Sequence, residues 1–237
     1  MSKTTNTKLP SNSPENNPML DVVNRRFFLR SAGVAAATGA FVMSACTDKE
    51  VTPSDNVVDL GSGDIGILNY AYALEQLEAA FYMQVIMTPY TGMSAMEKSI
   101  LTDIRDHEVV HREFFKAALG AAAIPGLSVN FSSIDFASRA SVLGTAKVFE
   151  DTGVAAYNGA GKLIKSVDYL LLAGKIVSVE ARHASIIRDL LNPNTADFAG
   201  DDVINNMGLD VAKSPSMILS AVGPFITTKV SGSNLPK

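Results

Sequence analysis

Two short segments of this chain each place a histidine three positions after a glutamate. DHEVVH contains the pair Glu108 and His111, and VEARH contains the pair Glu180 and His183. Residues three positions apart share one face of a helix, so each pair presents a carboxylate and an imidazole in one direction, as a metal site requires. The third of the chain's three histidines, His107, lies next to this face and is predicted either to face solvent or to contact a ligand.

Two further glutamates occupy the inward rows of predicted helices, and a tyrosine follows each of them seven positions later. Glu75 precedes Tyr82, and Glu150 precedes Tyr157. The third and fourth predicted helices therefore repeat the pattern of glutamate, tyrosine and histidine spacings found in the first and second, as a twofold pseudo-repeat. Four carboxylates inside a helix bundle would repel one another and lose solvation. Two divalent cations balance that charge, and oxygen and imidazole ligands without thiolate suit iron or manganese, with zinc as a further candidate.

The surroundings of these residues leave alternatives open. Glu78 shares the predicted face of Glu75, so three roles are open for it. It is the metal ligand in place of Glu75, it contacts the ligands without binding metal, or it pairs with an arginine. Glu75 is preferred because its seven-residue step to Tyr82 is the step that recurs. Tyr82 and Tyr157 are predicted either as core residues or as residues that touch the ligands. Asp151 is predicted to be a surface charge.

Four long helical segments carry these side chains, and they span residues 66–86, 94–120, 136–164 and 168–191. Their inward rows, at steps of three and four, are apolar except in the middle. Residues 121–135 contain Pro, Gly and Ser and are numerous enough to run the length of a helix, whereas the other connections are short. We predict an all-α fold, a four-helix bundle over 65–191 with one long crossover between helices 2 and 3. A C-terminal extension, 192–237, is expected to pack on the bundle with a short helix over 214–222.

The segments LEQLEAAFY, DHEVVH, FEDTGVAAY and VEARH resemble the ferritin-like superfamily, and roughly residues 64–191 are similar to its exported, desiccation-related branch. The resemblance implies a ferritin-like bundle with a dimetal-carboxylate centre that holds two divalent metal ions, with iron as first choice and manganese as second. By the same resemblance the metal ligands are Glu75, Glu108, His111, Glu150, Glu180 and His183. Glu108 and Glu150 are the candidates to bridge the two ions.

Two functions agree with this resemblance. The first is a dimetal oxidoreductase of ferroxidase, peroxidase or catalase type, which oxidises Fe(II) or reduces oxygen or peroxide in stress protection. The second is a non-catalytic metal-binding or protective module of the cell envelope. The expected partners are a metal ion or a small-molecule oxidant, and a homodimer stays an open alternative. Nucleic acid is not expected, because the chain has a net charge of −4, no tryptophan and no basic stripe.

Residues 1–46 predict an export signal. Paired arginines in RRFFLR precede an apolar run that is too short for a membrane-spanning helix, and this order resembles a twin-arginine signal; the alternative is the basic region of an ordinary secretory signal. MSAC ends at Cys46, the chain's one cysteine, and resembles a lipoprotein cleavage site, with a free or buried thiol as the alternative. Residues 47–64 are then a flexible tether. We expect a bacterial, periplasmic protein held to a membrane by lipid.

Overall fold

The computed structural model describes residues 57–237, so the predicted export signal, Cys46 and the tether up to residue 56 lie outside the described residues. The α-helices of the described part are α1 (Gly63–Met87), α2 (Ala95–Leu119), α3 (Arg139–Gly161), α4 (Val167–Leu191) and α5 (Pro215–Val222). The predicted all-α fold is confirmed. Within the described range, no helix combines the length and the apolar character needed to cross a membrane.

Short elements complete the described part. They are the 3-10 helices Gly120–Ala122, Ala196–Ala199 and Gly223–Phe225 and the two-residue strands β1 (Val58–Asp59) and β2 (Val230–Ser231). Helices α2, α3 and α4 begin at serine caps, Ser94, Ser138 and Ser166, whose hydroxyl oxygens accept from free backbone N–H groups. Before α2, the hydroxyl oxygen of Ser94 accepts from the backbone N–H of Glu97, and a Glu97 carboxylate oxygen accepts from the N–H of Ser94. Local sequence chemistry therefore sets where the bundle helices start.

The long connection between α2 and α3 determines the topology of the bundle. Helix α1 packs mainly on α2, and α3 packs mainly on α4. The connection leaves α2 beside the start of α1, where the N–H of Ile124 donates to Asn69. It passes the middle of α1, where the N–H of Leu127 donates to Gln76, and reaches its far end. Helices α2 and α3 therefore run parallel, as the predicted crossover requires.

Residues 57–64 are part of the fold, although the sequence assigns them to a flexible tether. Strand β1 pairs in parallel with β2 near the C-terminus, and Leu60 is fully buried in the core. The polar, glycine-containing composition of this segment indicates a loop. It does not reveal the pairing with a strand about 170 residues away, because backbone pairing leaves little trace in composition.

The C-terminal extension is attached to the bundle by ion pairs and by a close backbone approach. Arg188 of α4 is 2 % exposed and donates to both Asp151 of α3 and Asp202 of the extension, at 2.7–2.9 Å. Asp151, which was predicted to be a surface charge, is half-buried and forms an ion pair with Arg188. At Gly159 an added Cβ would lie 1.8 Å from the carbonyl oxygen of Lys213, so only glycine permits the extension to lie this close to α3.

Candidate metal centre

The four long helices bring the six predicted ligands together in the middle of the bundle. Helix α1 contributes Glu75, α2 contributes Glu108 and His111, α3 contributes Glu150, and α4 contributes Glu180 and His183. The glutamates are 0 % exposed, and the histidines are 9 % and 3 % exposed. Each of these residues interrupts a row of apolar residues at steps of three and four, so helix packing turns it towards the interior.

The first group of ligand atoms surrounds Nδ1 of His111. It includes Oε1 of Glu180 at 2.9 Å, Oε2 of Glu75 at 3.4 Å and Oε2 of Glu108 at 3.7 Å. All four residues offer a ligand atom within 4.8 Å of the others, so together they can hold one metal ion. We refer to these four residues as the His111 position.

The second group surrounds Nδ1 of His183 in the same way. Oε1 of Glu108 lies 2.8 Å away, Oε2 of Glu150 lies 3.5 Å away, and Oε2 of Glu180 lies 3.8 Å away. These four residues can likewise hold one metal ion together, and we refer to them as the His183 position. The bundle thus contains two adjacent positions for metal, each with three carboxylates and one imidazole.

Two carboxylates belong to both metal positions, because each directs one of its oxygens towards the first position and its other oxygen towards the second. Glu108 uses Oε2 towards His111 and Oε1 towards His183, and Glu180 uses Oε1 and Oε2 in the same manner. This differs from the expectation that Glu108 and Glu150 would bridge. Sequence spacing places a glutamate on the inward face, but it does not determine which oxygens two neighbouring positions share.

Two tyrosines explain why Glu75 and Glu150 serve one position each. The hydroxyl of Tyr82 on α1 donates to Oε1 of Glu150 on α3 at 2.5 Å. The hydroxyl of Tyr157 on α3 donates to Oε1 of Glu75 on α1. Each of these glutamates therefore keeps only one oxygen for the metal. The seven-residue repeat suggested a role for the tyrosines, but the exchange between α1 and α3 appears only in three dimensions.

The buried polar atoms of this cluster lack ordinary hydrogen-bond partners. The unpartnered atoms are Oε2 of Glu75, both oxygens of Glu108, Oε2 of Glu150, both oxygens of Glu180, and Nδ1 of His111 and His183. The short Nδ1–oxygen contacts are ion pairs without hydrogen-bond alignment. An unsatisfied buried polar atom costs about 1–3 kcal/mol, and this many in one place call for a shared partner. Two divalent cations satisfy all of them, so the residues fit a dimetal centre.

A comparison with known families agrees with this geometry. Residues 63–193, more than half of the chain, match the family model described as the ferritin-like domain. The chain belongs to the ferritin-like family. A search of curated proteins finds no match. In ferritin-like dimetal proteins, one glutamate from each of two helices joins a Glu-x-x-His pair from each of the other two, and this is the set that the bundle assembles here.

The electrostatics of this ferritin-like centre favour positive charge at both Nδ1 atoms. Burial lowers the pKa of His183, but its contacts with Glu108 and Glu150 outweigh burial and raise that pKa to about 12. Burial likewise lowers the pKa of His111, and the surrounding carboxylates raise it above its usual range. Burial raises the pKa of Glu180, yet the two histidines hold it at about 2. Protons or metal cations therefore stabilise the same positions, as a metal site requires.

Glu78 lies beside the centre but belongs to neither position, so the geometry favours Glu75 as the α1 ligand. Burial and the carboxylates of Glu108 and Glu180 raise the pKa of Glu78 well above its usual range. Gly153 on α3 makes room for this side chain, because a Cβ at Gly153 would lie 3.0 Å from Oε1 of Glu78. Spacing within α3 could not reveal this contact, because Glu78 belongs to another helix.

His107 joins the surface of the bundle to the His183 position. Its side chain is exposed at one edge, yet its Nδ1 lies 2.9 Å from Nε2 of His183. The ring planes differ by 9° and their centroids are 5.1 Å apart, as expected for an in-plane hydrogen bond between imidazoles. Burial and the charge of His183 lower the pKa of His107, which favours a neutral acceptor. With His183 as donor through Nε2, its Nδ1 is left free for metal.

Proposed function

We propose that this ferritin-like protein binds two divalent metal ions, iron first, and uses them to oxidise Fe(II) with dioxygen or peroxide. The observation that carries the proposal is the pair of adjacent positions that share Glu108 and Glu180 and leave their buried ligand atoms without hydrogen-bond partners. Four carboxylates balance the charge of two divalent cations, and oxygen and nitrogen ligands without thiolate suit iron or manganese.

The chain's own residues would orient the ligands and exclude water. Tyr82 and Tyr157 hold the outer carboxylates, Glu150 and Glu75, by hydrogen bonds from opposite helices. The buried carboxyl group of Glu78, whose pKa burial raises, lies beside the centre. With two ferrous ions bound, such a centre supplies two electrons, and dioxygen that accepts them with two protons leaves as hydrogen peroxide.

A specific observation also supports the non-catalytic alternative, in which the metal is structural or sequestered. Every ligand of the two positions is at most 9 % exposed, and closed coordination without an open place for substrate is typical of structural metal sites. The two functions differ in redox turnover. A catalytic centre consumes oxygen or peroxide repeatedly, whereas a structural centre retains its metal without turnover.

The decisive experiment loads the full chain with Fe(II) without oxygen, removes excess metal, and measures bound iron by mass spectrometry. We expect about two iron ions per chain, their loss in the variant His111→Ala/His183→Ala, and their retention in the control Asp106→Ala on the exposed face of α2. Oxygen uptake on mixing with air then separates the two functions. A folded wild-type chain that binds no iron would contradict the dimetal proposal. Bound iron without consumption of oxygen or peroxide would favour the non-catalytic function.

We also propose that the protein works in the bacterial cell envelope, exported by the twin-arginine route and anchored by lipid on Cys46, in protection against stress or desiccation. The support is the order of paired arginines, apolar run and terminal cysteine in residues 1–46. Mass spectrometry of the N-terminal peptide of the exported protein should find a lipid on Cys46. The variant Cys46→Ser should be released from membranes, and an unmodified cysteine in the wild type would contradict the anchor.

A further inference from the structure

An apolar cavity lies at one end of the bundle, between exposed or half-buried side chains such as Ala118 and Phe114 on its outer side and the metal centre on its inner side. Its volume is about 40 Å³, and all four long helices contribute to its walls. Tyr157 lines the cavity and donates its hydroxyl hydrogen to the ligand Glu75. Ile176 lines it as well, one helical turn before the ligand Glu180 on α4. The inner wall of the cavity is therefore in contact with the ligands.

The opposite end of the bundle is filled by aromatic rings. Phe81 packs against Tyr82 and Phe149 at centroid distances of 5.1 Å, and against Phe131 and Phe136 at 5.9 Å and 6.0 Å. The cavity end also has aromatic side chains, but alanines lie between them in its walls, and these are Ala71, Ala118, Ala156, Ala160 and Ala173. Protein interiors are normally packed without such gaps, so the small side chains at one end create the space.

The size and chemistry of the cavity restrict what it can bind. One water needs about 10–15 Å³ of such space and two to four polar partners, and an apolar cavity of about 150 Å³ accepts benzene. This cavity is intermediate in size and its walls are almost wholly apolar. Tyr70 lines the cavity, and its buried hydroxyl has no hydrogen-bond partner. One such hydroxyl supplies too few polar contacts to hold water or hydrogen peroxide. A small apolar molecule is the ligand that fits.

We propose that this cavity binds dioxygen and supplies it to the metal centre past Tyr157 and Ile176. The inference rests on the proposed oxidation of Fe(II). It makes that function more specific, because dioxygen can pass through the apolar cavity and peroxide cannot. Peroxide, with two polar hydroxyl groups, would lose its hydrogen bonds to water on entering and regain almost none.

Xenon, a small apolar atom that occupies dry cavities, tests the site without any metal. In methyl NMR spectra of the full chain under xenon pressure, we expect saturable shifts of the Leu74 and Ile176 methyl groups. Ala173→Leu should abolish these shifts by filling the cavity. The matched control Ala80→Leu, at a half-buried helical alanine outside the cavity, should retain them. Absence of a saturable xenon site in the wild type would overturn the proposal whatever the metal does.

Oxygen kinetics then separate the cavity from the proposed function. In the iron-loaded chain, Ala173→Leu should lower the second-order rate constant for dioxygen and leave the rate with hydrogen peroxide unchanged. Ala118→Leu, from the facing helix α2, serves as a second variant if the first does not fold. An unchanged dioxygen rate in a variant that has lost xenon binding would overturn the cavity as a route. Xenon binding in a chain that never consumes oxygen would instead contradict the proposed function and remove the route with it.

Discussion

The two helix pairs of the bundle, α1–α2 and α3–α4, offer the same ligands in the same order but surround them differently. Each pair supplies one outer glutamate, one shared glutamate and one histidine, and each sends a tyrosine to the outer glutamate of the other pair. The inner part of the centre therefore follows a twofold pseudo-symmetry. Such symmetry would make the two metal positions equal in affinity if the rest of the bundle obeyed it.

The pseudo-symmetry fails at two places next to the ligands. Three positions after the outer glutamate, α1 carries Glu78 and α3 carries Gly153, and the glycine leaves space for that carboxyl group. One position before the shared glutamate, α2 carries His107 and α4 carries Val179. Nδ1 of His107 lies 2.9 Å from Nε2 of His183, whereas a valine has no polar group that could pair with His111 in this way. We infer that the His111 and His183 positions bind metal with different affinities.

The largest effect should come from the glutamates that belong to both positions. Glu180→Gln removes the negative charge that both positions share and replaces one of its two ligand oxygens by an amide nitrogen, so we expect the chain to lose both metal ions under conditions that load the wild type. Glu150→Gln removes a carboxylate charge from the His183 position only, and about one ion per chain should remain. Metal content by mass spectrometry measures both outcomes.

Thermal unfolding of these variants without metal provides the control for folding. Burial raises the pKa of Glu150 to about 7, so metal-free Glu150→Gln should unfold at a temperature no lower than that of the wild type. Despite burial, the two histidines hold the pKa of Glu180 at about 2, so metal-free Glu180→Gln should unfold cooperatively but at a lower temperature. Equal metal losses in Glu180→Gln and Glu150→Gln would show that the carboxylates are not divided into shared and outer ones.

The fold was largely predictable from the sequence because each long helix has a strong local pattern. Apolar steps of three and four, and caps such as Ser94, depend on neighbours in the chain. The pairing of β1 with β2 and the burial of Leu60 were not predictable, since they depend on residues far apart in the sequence. Arg188 shows the same limit, because its partner Asp202 belongs to an extension with little helical pattern.

The candidate site was predictable at the level of residue types and faces. Spacing placed Glu108 and Glu180 inward, but the choice of shared oxygens depends on how helices from both pairs pack. The hydrogen bond between His107 and His183 joins α2 to α4, so no spacing within one helix could reveal it. The role of Gly153 could not be predicted either, because it depends on the carboxyl group of Glu78, which belongs to another helix.

His107 offers the next test of the difference between the two positions. His107→Ala removes the acceptor that fixes the orientation and tautomer of His183, and we expect a 10–100-fold loss of affinity at the His183 position, about the usual cost of losing a partner outside the metal shell. The His111 position should be unaffected. Titration with Co(II), followed by its visible absorption, should separate the two binding steps.

Two variants make the His107 test specific. In His107→Asn, the side-chain oxygen lies close to where Nδ1 lay and can still accept from His183, so much of the affinity should return. Val179→His places an imidazole at the equivalent position of α4 and should bring the two affinities closer together. If His107→Ala weakens both steps equally, His107 acts on the bundle as a whole and not on one position.

Gly153 and Glu78 give the smallest expected effect and concern stability rather than metal. Replacing a glycine by alanine inside a helix usually stabilises it by about 1 kcal/mol. At Gly153 the new Cβ would lie 3.0 Å from Oε1 of Glu78 and 3.7 Å from Oε2 of Glu180, so the carboxyl group of Glu78 must move. We therefore expect Gly153→Ala to leave the free energy of unfolding unchanged or to lower it, as measured by urea denaturation.

Removing the opposing carboxyl group should restore the ordinary benefit of alanine. In a Glu78→Ala background, Gly153→Ala should raise the free energy of unfolding by about 1 kcal/mol, so the two sites show a coupling energy of at least about 0.5 kcal/mol. Gly174→Ala on α4, where an added Cβ meets no atom within 4 Å, should give the full stabilisation in both backgrounds. If Gly153→Ala and Gly174→Ala raised the free energy of unfolding of the wild type equally, Gly153 would not be needed to make room for Glu78. The difference between the helix pairs would then reduce to His107 alone.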